Sequence, residues 1–246
     1  MGPAMKLTFF GSRGYVPESS EAHRGHSAFA VEAEGFRLLC DFGENQAGRL
    51  GDIRPDAIVL THAHPDHAWG LREGSAAPVF ASAATHALIG DFPLREPVAM
   101  SLDRRRRVGP FRITLLPVAH SVRCPCTAVR IEGPGSVLLY SGDVVAFPNP
   151  ETALSGVDVY VGDGSTLTES LVRRHKSGAL IGHATMRAQL GWLGRGGVRR
   201  AIFAHFGKGP ITMGDEELRR RLADLASEKA PESQVEIATD GAEFEM

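Results

Sequence analysis

The chain predicts an α/β fold in which two β-sheets pack on one another. Three observations lead there. Candidate strands fall into two batches, one before residue 91 and one after residue 110. Helical stretches follow each batch. No Pro/Ser/Gly-rich linker, internal repeat, heptad run or low-complexity tract separates them, so residues 1–246 are expected to form a single domain. If a boundary exists, it lies near 91–110, "DFPLREPVAMSLDRRRRVGP", a segment without clear periodicity.

In chain order, "KLTFFGS", "SAFAVE" and "FRLLCDFG" read as short strands bounded by turn-forming residues. "DAIVLTH" has an apolar centre and reads as a buried strand. "APVFAS" is another, followed by the helix-like "AATHALIG". "FRITLLPVAH", "CTAVRIEG" and "SVLLYSGD" begin the second batch, split by Gly and Pro. "VDVYVGDG" and "RRAIFAHFG" are strands that end in polar residues. Helices fit "GHATMRAQLGWLGRGG" and "GDEELRRRLADLASEK". The latter carries Leu218, Leu222 and Leu225 at helical spacing, opposite a charged face. "SQVEIATDG" is the last strand.

Composition excludes several classes. Hydrophobic residues make up 43% and charged residues 23%, ordinary for a soluble globular protein. A formal net charge of −2 gives no global pull toward nucleic acid or an anionic membrane. No apolar run approaches the roughly 20 residues that span a bilayer. The start lacks a basic region followed by a long apolar core, so no secretory signal is expected; Met1–Ala4 reads as an extension, with Met5 the effective start. Cys40, Cys124 and Cys126 form no disulfide framework and suit a reducing cytoplasm, and "CPC" has the wrong spacing for a zinc knuckle. These thiols read as packing residues in a cytoplasmic protein.

One stretch stands apart. "LTHAHPDH", residues 60–67, holds three of the ten histidines and an aspartate. His62 and His64 are two apart, so in extended backbone both imidazoles point the same way and can reach one metal ion. Pro65 suits the first turn of a helix, which would aim Asp66 and His67 at a neighbouring point. The stretch thus offers two ligand pairs, while a metal site needs three or more protein ligands. The missing ones are expected at other strand ends. "LLPVAHS" stops on His120, "LLYSGDV" on Asp143 and "AIFAHFG" on His205. An apolar strand has no packing reason to end in histidine.

With these residues in view, the sequence resembles the metallo-β-lactamase superfamily, and within it the phosphodiesterase branch, ribonuclease Z above all. "FFGSRGYVP" matches that family's opening glycine turn. "LLCDFGENQAGRL" resembles its Asp-x-Gly-Glu-x-x-Gln segment through Asp41, Gly43, Glu44 and Gln46. "LTHAHPDHAWGL" matches its central motif, "LIGHATMRAQL" its His-Ser/Ala-Thr helix start at His183 to Thr185, and "AIFAHFG" its last ligand strand.

The resemblance implies a four-layer αββα sandwich. It implies that His62, His64 and His120 hold one zinc, that Asp66, His67 and His205 hold the other, and that Asp143 bridges them. Mn²⁺ or Fe²⁺ would suit the same nitrogen and carboxylate donors. Two such ions roughly 3.5–4 Å apart can share a hydroxide and clamp an in-line displacement. Asp41 would fix the central loop and a ligand imidazole from behind; its plainer reading is a turn-stabilising Asp before Gly. His183, opening a helix, would touch a phosphoryl oxygen or protonate the leaving oxygen, or else merely cap that helix. Asp163 stands where ribonuclease Z has a glutamate paired with this histidine, and its shorter side chain strains that reach. Asp66 counts with His183 and Asp163 as catalytic as well as a ligand.

Other candidates have blander readings. His26 reads as a surface residue near the mouth of the site, and His23, His86 and His175 as surface or packing. Arg104–Arg107 reads as a solvated turn, with phosphate steering the sharper alternative. Trp69 reads as packing. The long tRNA-gripping arm of ribonuclease Z is absent, which argues against tight tRNA binding.

The expected function is hydrolysis of a phosphodiester in a small or cyclic nucleotide or an RNA end. Its rivals are thioester, lactone or β-lactam hydrolysis by the same metal pair, and a metal-binding sensor without turnover. The expected partner is a small-molecule or nucleotide substrate and no membrane, with a homodimer left open.

Overall fold

A computed structural model describes residues 5–246; the proposed extension at 1–4 lies outside the described residues. The first batch of strands is β1 (Lys6–Gly11), β2 (Ala28–Ala33), β3 (Phe36–Cys40), β4 (Ala57–Val59), β5 (Val79–Ser82) and β6 (Pro97–Met100). They pair in sequence order, antiparallel through β3 and parallel from β3 to β6. The second batch is β7 (Arg106–Val108), β8 (Phe111–Val118), β9 (Cys126–Glu132), β10 (Val137–Tyr140) and β11 (Val159–Asp163). A two-stranded hairpin, β12 (Arg173–Arg174) and β13 (Leu180–Ile181), follows. Then β14 (Arg200–Ala204) and β15 (Gln234–Ile237) extend the second sheet in parallel beyond β11. Finally β16 (Glu243–Glu245) returns to pair with β1.

Side-chain alternation explains why the sheets stack. In β3, Leu38 and Cys40 enter the core between the sheets while Leu39 faces outward. In β10, Leu138 and Tyr140 point inward and Leu139 outward; in β14, Ile202 and Ala204 point inward and Phe203 outward. A strand buried on both faces reads as a continuous apolar run, which is how "AIVL" and "VLLY" looked in the sequence. Helices close both outer faces. Those of the first half are α1 (Leu50–Ile53), α2 (Pro65–Ala68) and α3 (Ala83–Leu88); on this side Ile53, Ala68 and Leu71 pack over Leu39 and Ile58. Those of the second half are α4 (Pro150–Leu154), α5 (Met186–Gly196), α6 (Lys208–Met213) and α7 (Asp215–Lys229). Here Leu190, Leu193, Leu218 and Leu222 pack over Tyr160 and Phe203. The layers are therefore helices, sheet, sheet, helices, the metallo-β-lactamase fold that the resemblance implied.

The segment 91–110 holds two strands rather than an irregular connection: β6 belongs to the first sheet and β7 to the second. Both lie at sheet edges with exposed side chains, which removes the alternation that sequence reading depends on. The turn reading of Arg104–Arg107 is corrected with it. Arg106 and Arg107 lie in β7, and Arg105 pairs with Glu132 at 2.9 Å. Because β7 pairs with the start of β8, these arginines sit at the opposite end of β8 from His120. Among the described residues no helix is long and apolar enough to cross a membrane.

Candidate metal centre

The strands deliver their polar C-terminal residues to one edge, where ligands gather in open sheets. Asp41 follows β3, His62 follows β4, His120 follows β8 and Asp143 follows β10. Asp163 ends β11 and His205 follows β14. Residues 62–67 turn as the proline predicted: His64 is extended (φ −65°, ψ 154°) and α2 begins at Pro65.

Two sets of donors result. In the first, His64 Nδ1 lies 3.0 Å from His62 Nε2 and 3.2 Å from His120 Nε2. In the second, His205 Nε2 lies 3.0 Å from Asp66 Oδ2, and His67 Nε2 lies 3.6 Å from the same oxygen. Asp143 stands between. Its Oδ2 is 3.3 Å from His120 and 3.6 Å from His62; its Oδ1 is 3.0 Å from His67 and 3.3 Å from His205. Groups of ligand type within reach of one ion are His62, His64, His120 and Asp143; Asp66, His67 and His205; and Asp143, Asp163, His183 and His205.

The donors fit a metal on physical grounds. Tetrahedral ligands about 2.0–2.1 Å from an ion stand roughly 3.3 Å from one another, close to the spacing of the first set. The buried Nε2 of His67 and Oδ1 of Asp143 face each other at 3.0 Å, yet neither has an aligned hydrogen-bond partner. Such orphaned buried atoms are costly unless something else satisfies them, and a shared cation would.

Behind the donors, His62, His67, His120 and His205 are each held by the other ring nitrogen, with tautomers assigned from the partners. His62 Nδ1–H donates to Thr61 Oγ1 at 2.9 Å, and His120 Nδ1–H to the Gly182 carbonyl at 2.9 Å. His67 Nδ1–H donates to Asp41 Oδ2 at 2.7 Å. His205 Nδ1–H donates to Ser165 Oγ at 3.0 Å, whose hydroxyl donates to Asp163 Oδ1 at 2.6 Å. Asp41 also accepts from Thr61 N, Thr61 Oγ1 and Tyr140 Oη, each at 2.8 Å. It is fully buried with φ +54°, a region Asp tolerates better than most residues. It does more than stabilise a turn.

The electrostatics differ across the centre. Burial and the facing His120 push His64 down to about 4, and burial pushes His62 well below its usual value. His205 goes the other way: burial opposes protonation, but Asp143, Asp163 and Asp66 outweigh it and raise it to about 10. His67 is raised similarly by Asp143, Asp66 and Asp41 against its burial.

A cleft of about 690 Å³ opens over the donors, with His183 on its wall. His183 Nδ1–H donates to Asp163 Oδ2 at 2.8 Å, so the shorter carboxylate does reach. Burial opposes its charge, but the Asp163 carboxylate prevails and raises it. His183 caps nothing: Thr185 is the N-cap of α5 and accepts from Ala188 N at 3.0 Å. His26 is corrected to a buried residue, its backbone N–H held by Asn45 Oδ1 at 2.7 Å. His23 is buried too, between Ser12 Oγ at 2.7 Å and Asp215 Oδ1 at 3.0 Å. Trp69 packs at the edge of the outer core with the Arg72 guanidinium 3.5 Å over its ring. All three cysteines are buried and unpaired. Sequence reasoning missed Ser165, Tyr140 and Thr61. "GDGST" next to Asp163 was the only local hint of the first.

Comparison with known proteins bears on family and fold. A ribonuclease Z from Bradyrhizobium diazoefficiens is 46% identical over 70 residues, 26% of this chain and 22% of that protein. The probable metallo-hydrolase YhfI of Bacillus subtilis is 28% identical over 160 residues, 56% of this chain and 64% of its own. The matches thus span less than two thirds of either relative. The crystal structure of YhfI, described as a metallo-beta-lactamase fold protein, superposes with a TM-score of 0.77 at 20% identity, over 99% of this chain and 100% of that one. A diphosphatase from the PhnP family gives a TM-score of 0.73 at 18% identity, over 98% of both chains. Residues 40–206, well over half of the chain, match the family described as the beta-lactamase superfamily domain. The chain belongs to the beta-lactamase superfamily.

Proposed function

We propose that the protein is a metal-dependent hydrolase with two zinc ions that cleaves a phosphodiester, in a small or cyclic nucleotide or at an RNA end. In this reading His62, His64 and His120 hold one ion, Asp66, His67 and His205 the other, and Asp143 serves both. Bound there, a metal pair supplies Lewis acidity toward phosphoryl oxygens and a hydroxide nucleophile at neutral pH.

The observation that carries the phosphodiester part is the His183–Asp163 pair on the cleft wall, beside both donor sets. The donors alone suit any electrophile. A phosphodiester adds two demands, charge on non-bridging oxygens and a leaving oxygen that needs a proton. His183 spends Nδ1 on Asp163, which leaves Nε2–H for the substrate. Held protonated by the carboxylate, it can meet either demand. The relative named a ribonuclease Z supports a phosphodiester as substrate.

Metal-loaded His183→Ala protein tests the reading. Its metal content should stay near the wild-type two equivalents while kcat on a phosphodiester falls roughly 10²–10⁴-fold. The loss should be smaller on bis-p-nitrophenyl phosphate, whose leaving group hardly needs protonation. Wild-type turnover of phosphodiesters by the variant would move a thioester, lactone or β-lactam substrate ahead.

A further inference from the structure

The cleft continues past the donors into a second lobe of about 610 Å³, which shares His64, His120, Leu171 and His183 with the first. The lobes differ in charge. The first presents Tyr15, 62% exposed, and the apolar Val16. Its cation, Lys208, is already paired with Glu18 at 2.9 Å, and Glu169 adds a further acid. The second lobe is lined by Arg173 of β12. Among the described residues no carboxylate or carbonyl engages that guanidinium, whereas Arg174 beside it donates to the Gly178 carbonyl at 2.8 Å.

The hairpin that carries Arg173 is tied to the centre through backbone. Gly182, the residue after β13, donates its N–H to the His120 carbonyl at 3.0 Å and accepts from His120 Nδ1 at 2.9 Å. Ala184 N donates to the Val144 carbonyl at 2.6 Å. Gly182 has φ +106°, and a Cβ there would lie 2.1 Å from the Leu171 carbonyl oxygen, so only glycine allows this attachment. The backbone that carries Arg173 is therefore anchored beside His120 and His183, and the exposed side chain is unengaged at the second lobe.

We propose that Arg173 binds a second phosphate of the substrate. The proposal rests on the phosphodiesterase reading and narrows it. A guanidinium fork matches phosphate geometry, and away from the centre the first lobe offers an apolar, aromatic wall whose one lysine is already paired. The preferred substrate then carries a phosphate beyond the scissile one, on the side away from Tyr15. A dinucleotide with a terminal phosphate meets this description and a cyclic mononucleotide does not.

The test compares kcat/KM of the metal-loaded full chain on ApA, pApA and ApAp, with bis-p-nitrophenyl phosphate as reference. At least one phosphorylated dinucleotide should be preferred over ApA by roughly 10- to 100-fold, the loss expected for one charge-assisted contact. Added salt should narrow that preference. Arg173→Gln should bring it close to one and Arg173→Lys should restore part of it. Lys176→Gln, exposed on the same hairpin, should leave it intact. Equal rates on ApA and both phosphorylated forms, or a preference that survives Arg173→Gln, would overturn the subsite. Cleavage of bis-p-nitrophenyl phosphate without cleavage of any dinucleotide overturns the subsite and spares the phosphodiesterase reading; no cleavage of any of the four overturns both.

Discussion

The two donor sets are made of different materials. The first is three imidazoles, with the Gly182 carbonyl directly behind His120 and the Thr61 hydroxyl, itself donating to Asp41, behind His62. The second is two imidazoles and a carboxylate, backed by Asp41 behind His67 and by Asp163, through Ser165, behind His205. Neutral backing in a buried place keeps an imidazole uncharged; a carboxylate behind it raises its basicity and its hold on a cation. The second set is thus the more strongly anionic place, and an ion there meets more charge than an ion in the first.

The largest expected effect comes from the one residue that belongs to both sets. Asp143 sends one oxygen to each, so Asp143→Ala should lower metal content in both places and abolish phosphodiester turnover. Elemental analysis after dialysis, together with kcat, checks this. Full metal content in the variant would mean that the sets hold their ions independently, and the comparison would lose its common member.

Removing the charged backing of one set should be milder and one-sided. Asp41→Asn keeps the shape and the tolerance of positive φ but offers an amide where His67 Nδ1–H needs an acceptor. Metal affinity of the second set in a competition titration should fall about 10- to 100-fold, while that of the first set stays near wild type. Equal loss from both would show that Asp41 acts by holding the whole 61–67 loop through Thr61, not by tuning His67.

This division was only half legible in the sequence. The donors themselves stood out, because apolar strands ending in His120, Asp143 and His205 have no packing explanation. The strand alternation that builds the central core was equally plain in "LLC" and "VLLY". What surrounds the donors was not. Thr61, Tyr140 and Ser165 are ordinary residues whose roles come from neighbours distant in the chain: Tyr140 meets Asp41 across the two sheets. His26 looked like a surface residue for the same reason. Its cover comes from Gly43, where a Cβ would lie 2.4 Å from the His26 Cβ, a packing no local pattern announces. The strands β6, β7 and β16 escaped notice because edge strands of three or four residues with exposed faces carry no period.

The smallest effect is the most direct reading of the contrast, because it needs no substrate. In metal-free protein, His64 titrates at about 4 when folded and near 6.5 when unfolded. The unfolded chain takes up the proton first as pH falls, so this group costs stability progressively from about 6.5 down to about 4. His26, pushed down to about 4 by burial and then by Arg13, adds to the same limb. His205 has the opposite sign. Its folded value of about 10 means a bound proton favours the fold; that stability is full below 6.5 and is lost as pH rises toward 10. Metal-free protein should therefore be most stable near pH 6.5, falling by about 1–3 kcal/mol on each side. Chemical denaturation at pH 4.5, 6.5 and 9 measures the dome. His205→Asn should flatten the alkaline limb, and His64→Asn part of the acid one. Saturating metal should level the alkaline side, since the ion replaces the proton that the second set otherwise holds. A metal-free stability that is flat or changes in one direction only across this range would show that the two sets do not differ in charge as their surroundings imply.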